Sequence, residues 1–290
     1  MNWLNNYKIK KFEKMIRKLF QIEKIKALSY PAFKTLMIIH FLLFFLVVLI
    51  VSQVNFSFPG FSVTKLYQFP NIWEFFPWVA SWFNLFLAIV VILLVGNEFS
   101  FRTFRQNVID GLSRNDLIRG KIILIFSIAV YTFLMVLIAI LIFGLINSDD
   151  YSMGAIFGKS YLLLIYFIQA LGYMSLGLLI TIMFRNNALS IIMFILYFFP
   201  IEPIIRWIFE AHARRYFPIK IISNLTPMPE FLTMTSEKTF TTSSGTSALD
   251  FQEMGLTIEP LSVGLNVGLA VIYILVFLGI STYLLNKKNL

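Results

Sequence analysis

Residues 122–146 read IILIFSIAVYTFLMVLIAILIFGLI, a run without one charged side chain. Coiled as a helix it is about 37 Å long, more than the ~30 Å hydrocarbon core of a bilayer. Comparable runs recur at 34–54, 78–96, 158–184, 188–209 and 261–285. The pattern predicts an all-α polytopic membrane protein with six transmembrane helices between residues 34 and 290. Composition agrees: 58% of residues are apolar and 13% charged, against about 25% charged in a soluble domain.

Several functions are excluded at this level. The chain has no cysteine, which removes disulfides, thiolate catalysis and cysteine metal sites. Two histidines, His40 and His212, are too few for a common zinc site, so no metal is expected. The formal charge of +9 suggests nucleic acid in a soluble protein. In a membrane protein, basic residues hold cytoplasmic loops inside, and no nucleic-acid partner is expected. Their distribution fits. With the N-terminus in the cytoplasm, the inner segments hold most of the Lys and Arg. Their only acids are Glu13, Glu23, Glu98, Asp110 and Asp116. Six spans then put both termini in the cytoplasm. No cleavable signal peptide is expected in the charged opening stretch.

Residues 1–33 read as an amphipathic interfacial helix. Ile9, Phe12, Ile16, Leu19, Phe20 and Ile25 recur at helical spacing, with lysines and Arg17 on the other face toward anionic membrane lipid. Pro31 ends it. His40, in the first span, is expected to snorkel or to hydrogen-bond a neighbouring helix. Trp73, Phe75, Phe76, Trp78 and Trp82 read as an interfacial aromatic belt. The fifth apolar run meets Pro200 early, and Glu202 and Pro203 mark a break. Broken outer helices are therefore expected between spans five and six, with an extracytoplasmic loop over 210–260. Glu202 reads as solvated or paired with Arg206.

Other motifs lead nowhere. GAIFGKS at 154–160 has three residues between its glycines where a phosphate loop needs four, and no strand precedes it. No other nucleotide-binding signature occurs, so no cofactor is expected on this chain. Asn55 and Asn224 open chance glycosylation sequons. Gly264 and Gly268 fit close helix packing, within the chain or across a dimer. Outside span five, the span interiors carry no Asp, Glu, Lys or Arg, whereas ion-driven transporters keep such charges at mid-membrane. Energy is expected from elsewhere.

One polar stretch has more order than a loop needs. Residues 96–121 read GNEFSFRTFRQNVIDGLSRNDLIRGK between two apolar runs. Each arginine would cost roughly 2.5–3.5 kcal/mol inside hydrocarbon, so the stretch lies on one face of the membrane. Glu98 is read as an acidic cap for a short helix. Phe99, Phe101 and Phe104 supply apolar anchors for a partner's groove, Arg102 and Arg105 steer toward acidic groups, and Ser113 N-caps the next helix.

The series Glu98, Thr103, Arg105, Gly111, Leu112, Ser113, Arg114, Lys121 resembles the loose motif of the ABC transporter permease, the transmembrane subunit of the ABC type-2 exporter family. The sequence departs from it at Arg102, where the family often has Gly, and at Gly111, where it often has Pro. The resemblance implies a cytoplasmic coupling helix over 97–120, touched by a separate cytosolic ABC ATPase that carries ATP and Mg. The implied contact residues are Glu98, Phe101, Arg102, Thr103, Arg105 and Arg114, with Arg185 in a second inner turn. It implies an outer gate around Pro200, Glu202 and Pro203, and a second permease copy or related permease as dimer partner. It also implies a bacterial inner membrane location and no ATPase activity on this chain. Two other classes compete. One is a non-transporting scaffold or sensor. The other is an integral-membrane enzyme using Glu202, Glu210, His212 and Arg206.

Overall fold

Proline sets the first boundary. Helix α1 (Asn2–Ser29) stops at Tyr30, whose φ of −90° and ψ of 108° leave the helical region, and Pro31 opens helix α2 (Pro31–Gln53). The computed structural model describes residues 2–54, 57–58, 61–229 and 261–287. Residues 230–260, most of the polar loop, lie outside it, as do Asn55 and the side chains of Ile9 and Phe12. A two-residue pairing, Ser57–Phe58 with Phe61–Ser62, follows α2. Then come α3 (Ile72–Ser81), α4 (Asn84–Ser100), α5 (Thr103–Ile109), α6 (Arg114–Asn147), α7 (Met153–Phe157) and α8 (Tyr161–Phe184). The chain continues through α9 (Asn187–Leu196), a π turn (Tyr197–Ile201), α10 (Glu202–Ile208), α11 (Ala211–Arg214) and α12 (Pro218–Ser223), and returns in α13 (Val263–Lys287).

Among the described residues, five helical segments are long and apolar enough to cross a membrane. The pair α3–α4, bent by 42° at residues 82–83, passes the same test when its two helices are taken together. The protein is an all-α polytopic membrane protein. Helix α8 is its axis. Of its apolar stretch 78% is buried, against 17% for α2 and 22% for α13, which face outward. Helices α3, α4, α6, α9, α12 and α13 all pack on α8.

Two sequence expectations change here. Trp73, Phe75 and Phe76 are buried among Phe44, Val48, Ala139 and Tyr166 rather than lying in an interfacial belt, and only Trp82 of the five is exposed. The reason is that α3 is apolar almost all round, so it inserts between α2, α6 and α8. His40 neither snorkels nor hydrogen-bonds. It is fully buried among the rings of Phe83, Phe86 and Tyr131, at 6.0–6.2 Å, and neither ring nitrogen has a partner among the described residues. The segment resembling a phosphate loop is structural: α7 occupies it, Trp73 Nε1 donates to the Ile156 carbonyl at 2.6 Å, and Lys159 pairs with Glu74. No described atom packs on Gly264 or Gly268, so contacts within the described chain do not explain them.

At the end of the bundle where α8 begins, α12 lies inside the protein. Ile219, Ile221 and Ile222 are buried against α8 and α13. A helix end inside a bundle must have its backbone groups satisfied by protein, and side chains do this from three elements. Glu202 is buried, not solvated or ion-paired as expected: its carboxylate accepts the N–H groups of Ile219 (3.0 Å) and Lys220 (3.1 Å) at the start of α12. Gln169 donates to the carbonyls of Ile222 (3.0 Å) and Ser223 (3.3 Å), and Asn266 donates to that of Ile221 (3.2 Å). The Gln169 carbonyl oxygen accepts from Asn84 (2.9 Å) and Thr226 (3.0 Å). Replacing Gln169 by Leu strands these buried groups. The substitution is expected to destabilise the detergent-purified protein by about 1–3 kcal/mol in a thermal melt, with Gln21→Ala on the exposed face of α1 as the near-neutral control.

Candidate functional site

The polar stretch between α4 and α6 is three pieces, not one helix over 97–120. Helix α4 runs on through Glu98 to Ser100. Arg102 then turns the corner with φ at 57°, and Thr103 starts α5, its hydroxyl donating to the Glu98 carbonyl at 3.2 Å. Gly111, at φ 94°, makes the second turn, a conformation that glycine adopts without penalty. Ser113 caps α6 as its sequence suggests, accepting the Asp116 N–H at 3.1 Å.

The root of this hairpin is a buried ion cluster. Lys121 lies two turns into α6 and is 1% exposed. Its ammonium donates to Glu23 of α1 at 2.6 Å and to Glu98 of α4. Lys26, one turn after Glu23, pairs with Glu23 at 3.6 Å and with Glu98 at 3.4 Å. Two carboxylates and two ammonium groups thus balance at the meeting point of three helices. Glu98 does not cap a short helix; it is 8% exposed near the C-terminal end of α4. These charges lie where α4 and α6 extend past the apolar runs, so the span interiors themselves stay free of them. Helix α6 alone has 34 residues, about 51 Å, so its ends reach beyond a ~30 Å core.

The phenylalanines divide. Phe99 and Phe104 stack on each other with centroids 4.4 Å apart, Phe104 is buried, and the Lys121 ammonium lies 5.6 Å from the Phe104 ring. Phe104 belongs to the interior, and Phe99 is half-buried against it. Phe101 is 73% exposed and Ile109, which sequence reasoning passed over, is 76% exposed. Arg102 and Arg105 are exposed beside them. A cleft of about 210 Å³ between Glu98, Phe99, Arg102, Phe104 and Arg105 opens at this tip.

A second corner supports the first. Arg185, at φ 53°, ends α8, and its guanidinium lies 5.6 Å from the Phe99 ring. Partial burial, and then the nearby Arg114 guanidinium, hold Arg185 below the usual arginine range. Among the described residues, Arg102 and Arg185 are the two non-glycine residues with positive φ. Such backbone costs of order 1 kcal/mol per residue, and both instances fall in this one region. Asn187 donates to Asn97 at 2.5 Å, and a Cβ on Gly96 would collide with Asn187, so glycine lets α4 and α9 meet. Arg114 donates to the carbonyls of Leu285 (3.3 Å) and Asn286 (2.7 Å), tying the end of α13 to the same place.

Of the residues singled out in sequence, Glu98, Phe101, Arg102, Thr103, Arg105, Arg114 and Arg185 gather at this end of the bundle. Pro200, within the π turn, with Glu202 and Pro203 at the start of α10, belongs to the α12 end. Sequence reasoning gave no role to Glu23 or Asn97; it read Lys26 only as one of the α1 lysines facing lipid and Asn187 only as part of the second inner turn. A signal existed only for Glu23, an acid inside a basic helix. Among the described residues no group of three His, Asp or Glu is placed to hold a metal.

The chain is thus a multi-pass helical membrane protein with a braced basic hairpin between α4 and α6. The family model described as ABC-2 family transporter protein matches residues 110–290, well over half of the chain, and the chain belongs to that family. No curated protein matches it. The family is the transmembrane permease component of ABC transporters, not the ATPase, and implies a partner ABC ATPase subunit.

Removing one partner of a buried ion pair leaves the others uncompensated, at a cost of about 3–5 kcal/mol. Lys121→Met is expected to destabilise by about that much in thermal unfolding. The double variant Lys121→Met, Glu23→Gln, which leaves Glu98 balanced by Lys26, should recover most of the loss. A double variant as unstable as the single one would show that the cluster acts through packing instead of charge balance.

Proposed function

We propose that the chain is the permease half of an ATP-driven exporter. It works as a dimer of permease chains, and a separate cytosolic ATPase seats on the hairpin tip. The observation that carries this reading is the contrast within residues 96–121. The tip presents Phe101, Ile109, Arg102 and Arg105 to the outside, while its root is pinned by the Glu23–Lys121–Glu98 cluster. Exposed apolar and arginine side chains on a rigid mount suit a buried interface anchor with charge steering around it. A force applied at the tip passes through Glu98 to α4, through Lys121 to α6 and through Glu23 to α1.

In this reading ATP binding brings two ATPases together and pushes both hairpins. The spans respond as levers, and cargo leaves near the α12 end. There α12 is held by Glu202, Gln169 and Asn266 from three different elements. Relative movement of α8, α10 and α13 would exchange those hydrogen bonds, so the region around Pro200, Glu202 and Pro203 is the gate. Positive-inside bias places the hairpin in the cytoplasm, and a bacterial inner membrane fits the chain.

The test is co-purification with the ABC ATPase encoded beside this gene, followed by ATPase assays in proteoliposomes. Phe101→Ala is expected to weaken association by about 2 kcal/mol, roughly thirtyfold. Charge reversal at Arg102 and Arg105 should slow association most at low salt. Unchanged assembly and ATPase stimulation in the combined variant would sink the assignment of this tip.

A further inference from the structure

A groove of about 320 Å³ lies between α1, α2 and α6, on the side of the ion cluster away from the hairpin tip. Phe20, Leu28, Phe33, Met37, Ile123 and Ile128 form its walls. Its polar wall groups are satisfied elsewhere. Ser127 donates to the Ile123 carbonyl at 2.7 Å, Tyr131 donates to the Met37 carbonyl at 3.3 Å, and Glu23 is bound by Lys121 and Lys26. The interior therefore offers an occupant only hydrocarbon.

The mouth is different. Lys24 lines it, is exposed, and pairs with no carboxylate among the described residues. Phe20, Lys24 and Leu28 follow one another at i, i+4 and i+8, so they share one face of α1. Arg17, also exposed, lies one turn before Phe20 on that face. One strip of α1 thus carries cations beside an apolar slot. The slot is walled on its other sides by two membrane-spanning helices, α2 and α6, and a cationic strip beside an apolar slot suits the level where headgroups meet acyl chains.

We propose that this groove is a binding site for one anionic phospholipid of the adjoining leaflet. One acyl chain enters between Phe33, Met37 and Ile128, and the phosphate headgroup rests on Lys24 with Arg17 near it. At roughly 30 Å³ for a group the size of a water, the groove accepts on the order of ten methylene-sized groups, part of one chain. Charge complementarity selects the headgroup. A basic side chain near an anionic surface favours binding about fivefold, which a merely annular lipid does not show. Apolar filling alone gives little preference in a bilayer, because hydrocarbon surrounds the helices everywhere. Binding here ties α1 to α2 and α6, and the lipid touches the wall that holds Glu23. Lipid composition thereby acts on the brace beneath the hairpin, whether or not an ATPase is the partner there.

Native mass spectrometry of the full chain, released from nanodiscs of phosphatidylglycerol mixed with phosphatidylcholine, tests this. One strongly retained phosphatidylglycerol per chain is expected. Lys24→Glu should remove the headgroup preference, a change of at least fivefold, while the chain still retains lipid. Ser127→Trp fills the slot and should abolish that retention for both headgroups. Because Lys24 is on the surface, its variant keeps the proposal testable if Ser127→Trp misfolds. Equal retention of the two lipids by the unaltered chain would overturn the proposal, as would an unchanged headgroup preference in Lys24→Glu. So would photocrosslinking from position 28 to a second copy or another protein in place of lipid. None of these readouts depends on ATPase association, so failure here and failure of the permease reading are distinct.

Discussion

Lys121 donating to Glu23 and Glu98 is the contact on which the arrangement of this end of the bundle depends. Three helices from separate parts of the chain supply the charges, and each charge is buried at a cost that only the others offset. The cluster therefore contributes geometry more than stability. Moving α1 without α4 and α6 breaks a balanced set and leaves an ion in a low-dielectric place. Moving the three together does not.

The hairpin tip inherits its stiffness from that base. Phe99 and Phe104 stack beneath it, Arg185 covers the Phe99 ring, and Arg114 reaches the end of α13. The two left-handed corners at Arg102 and Arg185 are held by these surroundings. The exposed part of the tip includes Phe101, Val108 and Ile109 beside Arg102 and Arg105. A loop selected only for positive charge would not need so much interior structure. The opposite end follows a different rule. There polar side chains, not ion pairs, hold the short helix α12, and hydrogen bonds to backbone exchange partners more cheaply than buried charges do.

Much of the fold was legible in the chain. The long apolar runs, Pro31 as the end of α1, Ser113 as a cap and the interruption at Pro200 rest on local rules, and the helices begin, end or bend near those residues. The candidate site was legible only in part. Phe99, Phe101 and Phe104 look alike in sequence, yet Phe101 faces outward, Phe104 is buried and Phe99 stacks on it half-buried. Glu98 and Lys121 were visible, but as a cap and as the residue opening a span. Their pairing with Glu23 could not be seen, since Glu23 sits among lysines that satisfy a solvated helix equally well. His40 and Trp73 were misplaced for a related reason: polarity and aromaticity suggest an interface, but a neighbouring helix covered them.

The sequence by itself determined that the chain crosses a membrane several times and that residues 96–121 stay out of the hydrocarbon. Both follow from transfer free energies, which add up along a local stretch and need no knowledge of neighbours. Only the tertiary structure decided which of the charges in that stretch are exposed and which are locked away. Burial of a charge requires a partner, and here Lys121 finds one 98 positions away in the chain. No local pattern encodes that distance; the packing of α1 and α4 against α6 does.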